Sequence, residues 1–170
     1  MPFPRQELEN YGAVFNLTAE SVKLTDNMST TGEVPLVTEF EKSRADKTKR
    51  FIKEDGNLKP DELLDDQAVV INTGQGLAVI TGCAHRGIIN TIRRAQQLTG
   101  IDSIHAVIGG AHLIGGSEER IRQTIATLKD LDVKRLGLCH CTSLPAIVLM
   151  AHEFGNRFFF NNAGTQVELP

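Results

Sequence analysis

From Asp65 onward, apolar and polar positions follow clear periods; before it they do not. "QAVVINT" and "LAVITG", separated by Gly74 and Gly76, read as two strands joined by a short hairpin turn. A helix is predicted from about Gly87. Ile88, Ile92 and Ala95 fall at i, i+4 and i+7, with Arg93, Arg94, Gln96 and Gln97 on the other side and Gly100 as the stop. "SIHAVIGGAHL" is the next apolar strand. "SEERIRQTIATLKDLDV" opens with Ser117 as N-cap and two acids in its first turn, and carries a buried stripe of Ile121, Ile125 and Leu128. "KRLGLCHCTS" is a further strand and turn. The helix after it takes Ser143 as cap, Pro145 in its first turn and Gly155 as stop, and "RFFFNNAGTQVEL" supplies a last strand and turn. The order β-β-α-β-α-β-α-β predicts an α/β layered fold, a mixed sheet with helices on one face.

Residues 1–64 read as an irregular, insert-like or linker-like region with a few strands, "AVFNL" and "PLVTEF" being the candidates. Polar and turn residues dominate "TDNMSTTGEVP" and "KEDGNLKPDELLDD". The one basic cluster, Glu41 to Lys53, is interrupted by acids and reads as a solvated loop.

Composition narrows the field of functions. A net charge of −3 and a pI near 5.9 argue against nucleic acid as a partner. No apolar run approaches the roughly 20 residues that span a bilayer, so no membrane role is expected. Three cysteines, an odd number, do not suggest a disulfide framework; the expected compartment is reducing cytoplasm.

The chemistry concentrates at three strand-to-helix junctions, each carrying a histidine: "TGCAH" with His85, "GGAHL" with His112 and "CHC" with His140. Loops leaving the carboxyl ends of parallel strands share one edge, so three imidazoles delivered this way can converge on a metal. Cys83 is either a thiolate ligand or a packed thiol. Cys139 and Cys141 do not have structural zinc spacing; in an extended segment they face away from His140, and one or both read as small buried residues. His105, inside a strand, and His152, in mid-helix, read as ordinary histidines. The helix start at Arg86 and Gly87, with no acid nearby in sequence, is a candidate site for a substrate phosphate or carboxylate. "GGSEER" reads instead as a capped loop, because two glutamates would repel an anion. "GQG" at 74–76 lies in the hairpin turn and is no nucleotide fingerprint.

Taken together, "TTGEVP", "DDQAVVINTGQGLAVITGCAHRGIINTI", "AVIGGAHL" and "GLCHCTS" resemble the metallo-β-lactamase-fold hydrolases. The subgroup they resemble is that of the dihydropterin–ribofuranosylaminobenzene phosphate synthases. The resemblance implies the back half of an αββα sandwich, with residues 65–170 as that half-domain. It implies a divalent metal, zinc first and manganese or iron as alternatives, with His85 and His140 as ligands and Cys83 and His112 as metal or substrate contacts. It assigns no catalytic residue. The superfamily's HxHxDH motif is absent, since no two histidines here stand two apart. The implied activity is metal-dependent hydrolysis of a small ester, lactone or phosphodiester, incomplete in this chain. The alternative is a non-catalytic binding or structural remnant acting through a partner chain. A half fold leaves an apolar sheet face uncovered, so the resemblance implies a homodimer or a separate polypeptide carrying the front half.

Overall fold

The periodicity after Asp65 maps onto the structure nearly element for element. A computed structural model of the chain describes residues 3–42 and 51–170. The hairpin strands are β4 (Ala68–Asn72) and β5 (Leu77–Thr81); α3 (Ile88–Thr99) follows, then β6 (Ile104–Gly109), α4 (Glu118–Asp130), β7 (Arg135–Leu138), α5 (Leu144–Phe154) and β8 (Phe158–Phe160). Ahead of them lie α1 (Arg5–Asn10), β1 (Met28–Thr30), α2 (Glu39–Lys42), β2 (Phe51–Glu54) and β3 (Asn57–Pro60). The main sheet runs β1-β4-β5-β6-β7-β8, and β2-β3 form a separate hairpin. β4 is antiparallel to β1 and β5, while β5 through β8 are mutually parallel.

All three long helices cover one face. Ile88, Ile92 and Ala95 of α3, Ile121, Ile125 and Leu128 of α4, and Ala146, Met150 and Phe154 of α5 share one cluster with Val79, Val107 and Leu136 of the sheet. Each fully buried aliphatic side chain contributes about 1.5–3 kcal/mol. The stops predicted at Gly100 and Gly155 are both used, and Ser117 caps α4 by accepting from the Arg120 amide. Ser143 precedes α5 with φ +76°, outside the extended backbone usual for a capping residue, and makes no side-chain cap.

On the second face, Val69 pairs with Ile80 and Ile71 with Ala78, next to Ala106 and Ile108. The chain's own tail packs against part of it through Val167 and Leu169, and Arg135 donates to the Glu168 carbonyl. Val69, Ile71 and Ile80 stay half-buried.

Before Asp65 the strands are not where local composition suggests. Residues 13–17 carry no regular structure, and 35–38 run irregularly into α2. The amides of Val37 and Thr38 donate to the Asn90 side chain rather than to a ladder. β1 forms inside the turn-rich "TDNMSTT", because its partners at Val69, Val70 and Ile71 are supplied by tertiary pairing. "KEDGNLKP" contains a hairpin whose Asp55 and Gly56 both have positive φ, the primed turn that an Asp-Gly pair signals. Much of the basic cluster, residues 43–50, lies outside the described residues. Its first member, Glu41, is not solvated: it is 1% exposed.

Glu41 closes the start of α3. Its carboxyl oxygens accept from the amides of Ile89 (3.1 Å) and Asn90 (2.8 Å), two of the helix donors that have no partner inside the helix. Burial raises its pKa, while the Asn90 and Ile89 amides, Arg120 and the Ile88 amide pull it back. Glu41→Ala should lower stability by about 1–3 kcal/mol in urea unfolding, since buried amides lose their acceptor. Because the folded state holds the Glu41 proton more tightly than the unfolded state, this group's contribution is complete in acid. It falls as pH rises from the ordinary glutamate value through the folded one. Glu41→Gln should lack that component of the pH–stability curve.

Candidate metal centre at the carboxyl edge of the sheet

Parallel pairing of β5 with β6 and of β6 with β7 puts the three histidine junctions side by side. The junctions are then sewn together through backbone groups. The Gly110 amide donates to the Gly82 carbonyl at 3.0 Å and the Cys139 amide to the Gly109 carbonyl at 3.0 Å. Thr81 Oγ1 donates to the Gly110 carbonyl (2.9 Å), and Thr142 Oγ1 accepts from the Ala111 amide (3.1 Å) while donating to the Cys139 carbonyl (2.8 Å).

Each junction also holds non-glycine residues with left-handed backbone: Ala84 at φ +54°, His112 at +40°, His140 at +54° and Ser143 at +76°. Such conformations cost on the order of 1–3 kcal/mol each and cluster at functional sites.

The convergence expected of the junctions occurs for His85 and His112, whose rings meet edge to face with centroids 4.4 Å apart. Ligand atoms of Cys83, His112 and Cys141 lie within 4.8 Å of one another. The Cys141 thiol donates to the Cys83 carbonyl at 3.4 Å. His112 Nδ1 is buried and has no hydrogen-bond partner. Gly110 makes the approach feasible: a Cβ there would stand 2.6 Å from the Gly82 carbonyl oxygen and 2.7 Å from the Cys141 sulfur. Two thiols and one imidazole, the latter with a ring nitrogen that has no hydrogen-bond partner, fit a divalent metal.

His140 is exposed and does not belong to this three-atom group. The strand ends at Leu138 and a 3-10 turn runs from His140 to Thr142, so the extended "CHC" expected from sequence does not form. Cys139 and Cys141 therefore part company. Cys139 Sγ accepts from the Asn161 side chain (3.6 Å), and Cys141 turns toward Cys83.

Arg86 and Gly87 do not offer an open anion site. Glu41, 46 positions earlier in the chain, occupies that helix start, and a Cβ on Gly87 would fall 2.3 Å from its carboxyl oxygen. Arg86 is 7% exposed and donates to the carbonyls of Val34 (2.7 Å) and Glu62 (2.9 Å), which makes it an internal clamp. "GGSEER" is the capped loop expected. His152 is exposed; His105 is half-buried with its Nε2 unpartnered, and burial lowers its pKa, with Arg135 adding to the effect.

Two further residues at this edge, Asp66 and Cys141, carry no site role in the sequence pattern. Asp66 accepts from the Arg86 amide at 2.8 Å and lies 3.9 Å from His85 Nδ1. The hairpin pattern already implied its place, since Ala68 opposes Thr81 and so brings the start of β4 beside the end of β5. Cys141 was hidden because nothing local marks the turn that redirects it.

Gly110→Ala should destabilise the chain by about 1–3 kcal/mol through overpacking against fixed backbone. In the same variant, alkylation of Cys141 under native conditions should speed up as its packing loosens.

The chain is 31% identical over 160 residues to the 7,8-dihydropterin-6-methyl-4-(beta-D-ribofuranosyl)-aminobenzene-5'-phosphate synthase of Methanocaldococcus jannaschii, covering 94% of this chain and 54% of that protein. An uncharacterised protein of the same organism is 28% identical over 162 residues, covering 94% of this chain and 57% of its own length. The chain thus spans about half the length of the curated relatives it matches. Among solved structures, that of a metal-dependent hydrolase of the beta-lactamase superfamily matches with a TM-score of 0.75 and 28% identity, over 92% of this chain and 58% of that one. No family profile matches.

Proposed function

Because this chain carries part of the metallo-β-lactamase fold and is similar to a metal-dependent hydrolase of that superfamily, we propose that it supplies one side of a metal-dependent hydrolase site. The supporting observation is the meeting of His85 and His112 at the carboxyl edge, with Asp66 behind His85. His85 and His140 are the histidines we assign to the catalytic metal, with Cys83 and His112 beside them. Zinc is the metal that this mixture of imidazole and thiol suits. When bound, a divalent ion polarises a carbonyl or phosphoryl oxygen.

The chain's own residues orient the site. Asp66, fixed by the Arg86 amide, stands 3.9 Å from His85 Nδ1, beyond hydrogen-bond reach but near enough for its carboxylate to favour one ring orientation. Exposed His140 is available to an ion shared with a second polypeptide. A separate chain bearing HxHxDH supplies the ligands this sequence lacks, whereas a second copy adds only its own His85 and His140 across a two-fold interface; either covers the half-buried Val69, Ile71 and Ile80.

The substrate class is a small ester, lactone or phosphodiester. Acidic net charge weighs against nucleic acid, and among the described residues no helix is long and apolar enough to cross a membrane. A reducing cytoplasm suits a site whose cysteines act as thiols. The lack of any histidine pair two apart favours a second reading, a binding or structural remnant that acts only through its partner.

Native mass spectrometry of the purified chain, alone and with a polypeptide bearing HxHxDH, reports assembly and metal content together. The hydrolase reading expects a zinc-bearing assembly that cleaves a phosphodiester or lactone. It also expects at least about tenfold loss of that activity on His85→Ala or His140→Ala. A stable assembly that carries zinc and turns over none of these substrates would support the remnant instead.

A further inference from the structure

We propose that Cys83, His112 and Cys141 form a zinc site of two thiolates and one imidazole that this chain fills by itself, without ligands from a second polypeptide. This goes beyond the hydrolase reading, which assigns the metal to His85 and His140 with Cys83 and His112 only beside them, and leaves Cys141 without a role.

The argument begins with the donor set. Thiolate and imidazole together select zinc over magnesium or calcium, which take oxygen ligands. Three protein ligands leave one position open, as in zinc sites that do chemistry rather than close a fold. Zinc–sulfur and zinc–nitrogen bonds of ~2.3 and ~2.0 Å put tetrahedral ligand atoms roughly 3.5–3.8 Å apart. The three donor atoms here lie within 4.8 Å of one another, so a shift of about an ångström closes the set around an ion.

The surroundings are built for the approach. Each ligand comes from a different junction, and the hydrogen bonds among Gly82, Gly109, Gly110, Cys139 and Thr142 lock the three junctions together. Gly110 is the residue whose missing side chain lets Cys141 reach Cys83. His112 adopts a left-handed backbone, φ +40°, and keeps a buried ring nitrogen with no partner. A metal explains both features: the ligand position requires the turn, and the ion or its bound neighbours would satisfy the nitrogen.

Among the described cysteines, Cys139 is the natural control. It lies two residues from Cys141, yet its sulfur engages Asn161 and falls outside the group.

The test is anaerobic titration of the reduced, metal-free chain with cobalt(II), followed by competition with zinc. Thiolate-to-cobalt charge transfer in the near ultraviolet and a d–d spectrum of tetrahedral type are expected, saturating at one ion per chain. Zinc should displace the cobalt and quench the bands. Cys83→Ser and Cys141→Ser should each lower the charge-transfer intensity by roughly half, as one of two thiolates is lost. His112→Ala should weaken cobalt binding while retaining charge transfer, and Cys139→Ser should match the parent chain. Circular dichroism of each metal-free variant separates ligand loss from unfolding. Should a Cys→Ser variant unfold, cadmium-113 chemical shifts on the parent chain count the thiolates directly.

Cobalt bound without thiolate charge transfer, or equal losses from Cys139→Ser and Cys141→Ser, would overturn the proposal. Either result would leave the two-chain hydrolase reading standing. Conversely, thiolate-bound cobalt in a chain that never hydrolyses with any partner would sink the hydrolase reading and keep this site.

Discussion

The carboxyl group of Glu41 at the start of α3 is the contact on which the rest of the arrangement turns. A helix start presents unsatisfied amides, and here they are buried where no water reaches. Filling them from inside the chain anchors residues 33–41 against α3. Asn90 reinforces the anchor, with its oxygen on the Val37 and Thr38 amides and its nitrogen on the Arg86 carbonyl. Arg86 then holds Val34 and Glu62, and its amide holds Asp66. The corner bearing Cys83 and His85 is thereby fixed on both sides, by β5 and by this buried polar network. Its cost is a carboxyl group and a guanidinium removed from water, for which hydrogen bonds to backbone groups largely compensate.

Edge geometry follows from strand direction. Parallel neighbours β5, β6 and β7 release their chains at one edge, β8 adds Asn161 there, and antiparallel β4 enters from it with Asp66. Five segments thus reach one place without any being close in sequence. Strained residues at each junction keep the side chains aimed inward or outward according to backbone turn rather than strand alternation. Cys139, His140 and Cys141 differ in partner and exposure for that reason.

The sheet's two faces explain how a chain spanning about half of its relatives can still hold a core. Helices α3 to α5 bury one face completely. On the other, small residues at Ala78 and Ala106 need little cover, and the tail at Val167 and Leu169 provides some. What remains half-buried is the β4 side, next to short β1.

Periodicity after Asp65 was enough to read the hairpin, the three helices with their apolar stripes, the glycine stops and the Ser117 cap. Those features are set within a turn or two of chain, where side-chain spacing and local hydrogen bonds decide. The junction histidines were legible for the same reason, as each follows a strand. Asp66 and the Asp55–Gly56 turn had local signals too. Tertiary structure alone decided that β1 would form in a turn-rich stretch, that Glu41 would close a helix 46 residues away, and that Arg86 would serve as a clamp. It alone brought Cys141 to Cys83 and His112 while leaving His140 exposed. In every one of these cases the decisive partner is distant in sequence, and only burial made its hydrogen bond or close packing obligatory.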